Sequence, residues 1–173
     1  MRSGQLAVLE PAARVAAVAP ARRRRPGWGL ILPPVVTMIV MLWGISAPSY
    51  WRDESATLSA TERSYPQMLA MLRHIDAVHG LYYLLLWPVV HLAGAGEFDT
   101  RLPSAMAMAA AALGVTAIGR RARSRRAGMY AGLIFACLPL VSVRGHDARP
   151  YALETATAVL ASYLLRSLMH YRP

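Results

Sequence analysis

The chain has 173 residues, of which 55% are hydrophobic and only 16% are charged, and its mean hydropathy is +0.33. Soluble domains carry about a quarter charged residues, so this composition favours a membrane protein. The net charge of +10 comes from arginines that cluster beside apolar runs, at Arg22–Arg25 and Arg120–Arg126. Cytoplasmic flanks of membrane helices collect charge in this way, which argues against nucleic acid as a partner. The single cysteine, Cys137, excludes an internal disulfide and a metal site built on cysteines.

The N-terminal region predicts a tail followed by a membrane anchor. Residues 1–26 are rich in Ala, Arg and Pro, which is typical of a disordered basic cytoplasmic tail. Residues 28–46 form an apolar run close to the length of about 20 residues that a membrane helix needs. The run is longer than the core of a signal peptide, so we interpret it as a retained anchor in the plasma membrane.

An acidic pair, Asp53 and Glu54, follows this first span directly, next to Arg52. One interpretation is a solvated helix start whose carboxylates complement the helix dipole. The other is a general base or metal ligand at the extracytoplasmic membrane surface, with a pKa tuned by Arg52 and by apolar surroundings. His79 has the same two interpretations, as part of a helix start or as a proton shuttle or metal ligand near these carboxylates.

The segment Gly80–Gly94 is apolar but short for a membrane span, and Tyr83, Trp87 and His91 recur at every fourth residue. Such a stripe is typical of a helix lying in the membrane interface. If this segment crossed the membrane, the chain would have five spans and Arg120–Arg126 would fall outside the cell. The positive-inside bias therefore favours an interfacial helix and four spans.

The three remaining spans are predicted at residues 102–119, 127–143 and 151–169, with small residues that allow close helix packing. The predicted fold class is an all-α integral membrane protein with about four transmembrane helices. Extracytoplasmic juxtamembrane helices are predicted within residues 47–101. This topology places Asp147 and Arg149 on the same membrane face as the acidic pair. Arginines beside carboxylates suit a phosphate-linked substrate, because Arg pairs with phosphate in a fork geometry.

Five short motifs, in this order, resemble the N-terminal part of polytopic membrane glycosyltransferases of the GT-C fold, nearest to the protein O-mannosyltransferase-like bacterial group. They are WRDESA from Trp51, the His79 segment HGLYYLLL, RLPS from Arg101, RRAG from Arg125 and HDARPYAL from His146. The resemblance covers about residues 28–163. It implies a partial GT-C module embedded in the lipid bilayer.

The resemblance implies transfer of a sugar, such as mannose, from a polyprenyl-phosphate carrier to an acceptor on the extracytoplasmic face. Asp53 would be the general base, with Glu54 as its catalytic neighbour. Asp147, Arg149, His79 and Arg52 would contact the substrate or the carrier phosphate. Whether a divalent cation is used as a cofactor stays open.

The chain departs from the family at two motifs and in length. His146-Asp147 stands where the family usually has Gln-Glu, and Gly80-Leu81 replaces a proline-rich piece after the histidine. Family members have many more spans, so we expect this chain alone to be inactive or to need a second chain that supplies further helices. The alternative is a non-catalytic accessory or assembly protein, or an inactive relic. A transporter subunit is disfavoured, because no charged residue falls in the middle of a predicted span.

Overall fold

The computed structural model describes residues 27–169, and within this range every regular element is a helix. The expected basic tail, residues 1–26, and residues 170–173 lie outside the described range. The described residues form eight α-helices and one short 3-10 helix, in this order: α1 (Trp28–Leu42), α2 (Arg52–Thr61), α3 (Tyr65–Leu72), the 3-10 helix (Ala77–His79), α4 (Gly80–Ala93), α5 (Glu97–Ala122), α6 (Arg125–Ala136), α7 (Pro139–Gly145) and α8 (Tyr151–Met169).

Among the described helices, only α5 is both long and apolar enough to cross a membrane unbroken. Together, α6 and α7 also reach the required length and hydropathy, but they are bent by 62° at the break between them. Helix α1 is apolar but has 15 residues, about 22 Å, which is shorter than a hydrocarbon core of about 30 Å. Helix α8 has 19 residues but a lower hydropathy. Length and composition thus support one span, or two with the bent pair, rather than the expected four.

Two of the expected spans are not continuous helices over their predicted length. Helix α1 ends at Leu42 rather than at residue 46, and the chain then turns through Gly44, whose φ of +74° is readily adopted by glycine. The expected span 127–143 is broken between α6 and α7. Pro139 begins the second piece, because it has no N–H with which to continue the preceding helix.

Helix α5 is longer than expected and begins at Glu97, ahead of the predicted span 102–119. Arg101 was part of the predicted outer segment, but it lies inside this helix, just after the first turn. Its side chain is almost completely buried, with 1% of its surface exposed. A buried guanidinium near the end of an apolar helix requires a partner, because an unpaired buried charge is strongly unfavourable.

Helix α5 is the centre of the helical bundle and packs against α1, α6 and α8. The expected close packing of its small residues is confirmed, since several alanines on this helix are fully or almost fully buried (Ala105, Ala109, Ala111, Ala112). The backbone of α6 also lies close to the backbone of α5. A Cβ atom on Gly128 would overlap the Thr116 carbonyl oxygen and lie 2.6 Å from the Arg120 amide nitrogen.

The arginine-rich segment and the acidic segment of the chain lie at opposite ends of this bundle. Gly29 of α1 faces Met129 of α6, and Arg121 of α5 donates to the Ser167 hydroxyl of α8 at 2.6 Å. The start of α1, the arginine-rich α5–α6 loop and the end of α8 therefore meet at one end. The acidic helix α2 lies at the other end.

Helix α4 packs on α2 and on the first turns of α5. Near its start, the Tyr82 hydroxyl lies 3.2 Å from Ser104 Oγ. Just beyond its end, the Ala95 carbonyl accepts from the Tyr50 hydroxyl, which also lies 2.7 Å from Thr100 Oγ1. Thr100 and Ser104 are about one turn apart on α5. Helix α4 is therefore inclined to α5 and does not run along its length.

Candidate active site

Glu54 and Arg101 form a buried ion pair that joins α2 to α5. Glu54 has no exposed surface. Arg101 Nε donates to Glu54 Oε1 at 2.8 Å, and Nη2 donates to Oε2 at 2.7 Å, so the contact has the fork geometry of a strong charge-assisted pair. Arg101 Nη1 donates to the carbonyl oxygens of Ile45 and Pro48, both at 2.8 Å. One guanidinium thus connects α5, α2 and the segment that follows α1.

The same carboxylate also holds loop 146–150, which connects α7 to α8. The Ala148 amide donates to Glu54 Oε1 at 2.8 Å. Burial acts to raise the pKa of Glu54, but the bonds from Arg101 and the Ala148 amide outweigh burial and hold this pKa below its ordinary value. Glu54 is therefore ionised at neutral pH, and its oxygens are occupied by structural contacts.

Asp53 has the opposite environment, although it is the adjacent residue. Its side chain is exposed on the first turn of α2, because consecutive helical residues point about 100° apart. Its carbonyl oxygen accepts from Arg149 Nη1 at 3.5 Å. Arg149 Nε is buried and has no hydrogen-bond partner among the described residues. An accessible carboxylate and an under-used guanidinium therefore lie at the same surface.

Asp147 precedes Ala148 in this loop and is 7% exposed. Its Oδ2 lies 3.5 Å from Arg144 Nη1, whose guanidinium also covers the Tyr151 ring at 4.1 Å. Burial and the nearby negative charge of Glu54 raise the pKa of Asp147, and Arg144 opposes this rise. Two of the expected substrate contacts, Asp147 and Arg149, are thus brought to the acidic pair by loop 146–150.

His79 and Arg52 are not brought to this site by any contact among the described residues. His79 Nδ1 lies 3.4 Å from Asp76 Oδ1, and its ring stacks on Tyr83 with the ring centroids 6.0 Å apart. The Tyr83 hydroxyl donates to Asp76 Oδ2 at 3.1 Å. Arg52 is exposed at the start of α2, and its side chain has no hydrogen bond or ion pair within residues 27–169. The roles expected for these two side chains stay predictions.

Sequence reasoning did not identify Arg101 and Tyr82 as site residues. Tyr82 is 3% exposed and contacts Ser104, whose hydroxyl donates to the Arg149 carbonyl oxygen at 3.5 Å. The signal for Arg101 was an arginine in the first turns of a long apolar helix, which implies a buried carboxylate partner. No comparable signal marked Tyr82, which lies in an apolar run.

No cluster in the described part of the chain is suited to hold a metal ion by itself. Within residues 27–169, no three His, Cys, Asp or Glu side chains come together as potential ligands. The cationic groups of this site are the guanidinium groups of Arg101, Arg144 and Arg149. Of these three, Arg149 is half-buried, and its side chain makes a single hydrogen bond to the described residues, the 3.5 Å contact from Nη1 to the Asp53 carbonyl oxygen, so its guanidinium keeps donors for an anion.

Comparison with known proteins agrees with the sequence motifs. Residues 80–172, more than half of the chain, match the family described as dolichyl-phosphate-mannose-protein mannosyltransferase. This match includes Arg101, Asp147 and Arg149, and it begins after Asp53 and Glu54. No curated protein and no solved structure shows a significant match. The match confirms the resemblance drawn from the motifs, and the chain belongs to the dolichyl-phosphate-mannose-protein mannosyltransferase family.

Proposed function

We propose that the chain is a membrane glycosyltransferase, or a part of one, that uses a polyprenyl-phosphate sugar such as a mannose donor. The acceptor is a hydroxyl group on the extracytoplasmic face. Family membership supports the reaction class. The observation that carries the assignment to this site is the accessible Asp53 carboxylate beside Arg149, at a surface held together by buried Glu54.

In the proposed reaction, Asp53 takes the proton of the acceptor hydroxyl as its oxygen attacks the anomeric carbon of the sugar. The new bond joins the acceptor oxygen to that carbon, and the bond from the carbon to the carrier phosphate oxygen breaks. The carrier phosphate leaves with the bonding electrons. A carboxylate is suited to this general-base role, and the Arg149 guanidinium is suited to bind the departing phosphate.

The two members of the acidic pair have different roles in this proposal. Asp53 is the base, because its side chain is accessible. Glu54 is a positioning residue, because both of its oxygens accept from Arg101 and one accepts from Ala148. Through these bonds Glu54 fixes the distance between α2 and loop 146–150. The catalytic assignment from the sequence is thereby narrowed to Asp53.

The distribution of charge supports an extracytoplasmic location for this site. The chain enters α1 just after Arg22–Arg25, at the same end of the bundle as the arginines of the α5–α6 loop. The positive-inside bias makes this the cytoplasmic end. Asp53 and Arg149 lie at the opposite end, where a translocated lipid-linked sugar is accessible.

Sugar transfer in membranes tests the role of Asp53. The chain is expressed with its genomic neighbours, and transfer from labelled polyprenyl-phosphate sugars to endogenous acceptors is measured. Asp53→Asn should lower the transfer rate at least about 100-fold, because general-base catalysis contributes at least this factor. Glu62→Gln is the matched control, because Glu62 is an exposed acid at the other end of α2. It should retain the wild-type rate.

The amount of each variant in the membrane is measured by immunoblot, so that loss of protein is distinguished from loss of catalysis. An Asp53→Asn variant that transfers sugar at the wild-type rate would remove the catalytic assignment. The absence of transfer above background by the wild type, with each donor sugar, would instead favour a non-catalytic accessory role.

A further inference from the structure

An apolar groove lies outside the candidate active site, on the side of the bundle where α1 and α8 flank α5. Its volume is about 550 Å³. Small residues of α5 form its floor, namely Ala110, Gly114 and Ala117. Leu30 of α1 and Leu160 of α8 form its walls, and Tyr163 lies at one end. Neither the proposed reaction nor the packing of the bundle uses this space.

The Tyr163 end of the groove is positively charged. The Arg121 guanidinium lies over the Tyr163 ring, with its Cζ atom 4.2 Å from the ring centroid, and donates to the Ser167 hydroxyl. Arg121 belongs to the cluster Arg120–Arg126. Among residues 27–169, no carboxylate lies within ion-pair distance of any arginine in this cluster. The groove therefore combines an apolar body with an uncompensated cation at one end.

The length and the apolar lining of the groove suit a hydrocarbon chain. The α8 residues that line it extend from Leu153 to Tyr163, a distance of about 15 Å. Because the groove is open on one side and its lining is apolar, an acyl chain of the surrounding bilayer can enter it.

We propose that this groove binds an anionic phospholipid, with an acyl chain between α1 and α8 and its phosphate at Arg121. Basic pockets between membrane helices on the cytoplasmic side bind anionic lipid headgroups in this way. The apolar lining excludes a polar ligand from the body of the groove. The uncompensated arginine favours an anionic headgroup over a zwitterionic one.

Lipid retention by the purified full chain tests this proposal. The protein in mild detergent is incubated with phosphatidylglycerol or with phosphatidylcholine of the same acyl chains, and bound lipid is counted by native mass spectrometry. Phosphatidylglycerol should be retained preferentially. Arg121→Gln should weaken its binding about fivefold, the effect of one arginine at an anionic lipid. Arg126→Gln is the matched control, because Arg126 is exposed in the same cluster and lies outside the groove.

A second variant separates a seated lipid from general attraction to positive charge. Ala110 is exposed and lines the groove, so Ala110→Leu should fill the space and weaken binding without disturbing the bundle. If thermal unfolding shows that Ala110→Leu is misfolded, Ala156→Leu is used in its place, because it fills the groove from α8. Equal retention of the two lipids, equal effects of Arg121→Gln and Arg126→Gln, or unchanged binding in the filled variant would each overturn the proposal.

Discussion

Neighbouring carboxylates in this protein occupy opposite environments, because a helix turns them to different sides. Asp53 points away from the bundle, whereas Glu54 is buried against Arg101 and the Ala148 amide. Removal of one partner from a buried ion pair leaves the other charge uncompensated, at a cost of about 3–5 kcal/mol. The stability of the protein should therefore depend on Glu54 far more than on Asp53.

Thermal unfolding in detergent across acidic pH tests this dependence. The folded pKa of Glu54 lies below its ordinary value of 4.5, so its stabilising contribution is complete above that value. The contribution is lost as the pH falls from there through the folded pKa. Glu54→Gln should lower the unfolding temperature at pH 7 and should reduce the loss of stability between about pH 5 and pH 3.

Glu62→Gln is the control for this measurement, because Glu62 is an exposed acid on the same helix. Its unfolding temperature should follow that of the wild type at each pH. Asp147 acts in the opposite direction, since its raised pKa makes protonation favourable on folding. The Glu54 charge is one cause of that rise, so this opposing contribution is smaller in Glu54→Gln and unchanged in Glu62→Gln. An unfolding temperature of Glu54→Gln equal to that of the wild type at pH 7 would contradict the structural role of this carboxylate.

The sequence drew attention to the acidic pair but could not assign separate roles to its members. Which of two adjacent residues faces the core depends on where the helix begins and on what packs against it. The partner of Glu54 is Arg101, 47 positions away. A bond of this kind is fixed only by the tertiary fold. Motif order did identify loop 146–150, because its polar residues stand out between two apolar runs.

At the scale of helices, the hydrophobic runs predicted the bounds of α4 and α8 closely. The prediction of one continuous span over residues 127–143 was wrong, because the helix breaks before Pro139. Helix α8 spans Tyr151–Met169, as expected for residues 151–169. The run 127–143 is apolar throughout, so periodicity and length did not reveal its break before Pro139. The register between neighbouring helices could not be predicted from the sequence either, because it depends on which small residues face each other in the folded bundle.

The contact between α5 and α6 gives a test of packing at this scale. Gly128→Ala should destabilise the protein, because the added Cβ atom would meet backbone atoms, the Thr116 carbonyl oxygen and the Arg120 amide nitrogen. Backbone atoms cannot move aside as a flexible side chain can, so the helices must separate. Overpacking of this kind costs about 1–3 kcal/mol. Thermal unfolding in detergent measures the effect.

Gly27→Ala is the matched control, since a Cβ atom at Gly27 has no neighbour within 4 Å and its φ of −71° suits any residue. This variant should unfold at the wild-type temperature. Equal stability of the two variants would show that α5 and α6 are farther apart than the structure indicates.

At the scale of the whole molecule, separation of charge connects the membrane orientation to the proposed chemistry. The arginine-rich ends of α5 and α6 lie at one end of the bundle, and Asp53 and Arg149 lie at the other. If the arginines face the cytoplasm, the carboxylate and guanidinium of the candidate site face the extracytoplasmic side. This orientation can be measured without any knowledge of the sugar or the acceptor.

Single-cysteine labelling in intact cells tests the orientation. The native Cys137 is first replaced by serine, and cysteine is then introduced as Asp53→Cys, Arg149→Cys or Arg123→Cys. A membrane-impermeant thiol reagent should label positions 53 and 149 in intact cells, and position 123 only after permeabilisation. Residues 53 and 123 are exposed in the fold, so protection there reports on the membrane and not on burial. Protection of position 53 together with labelling of position 123 would reverse the orientation, and the acidic site would then face the cytoplasm.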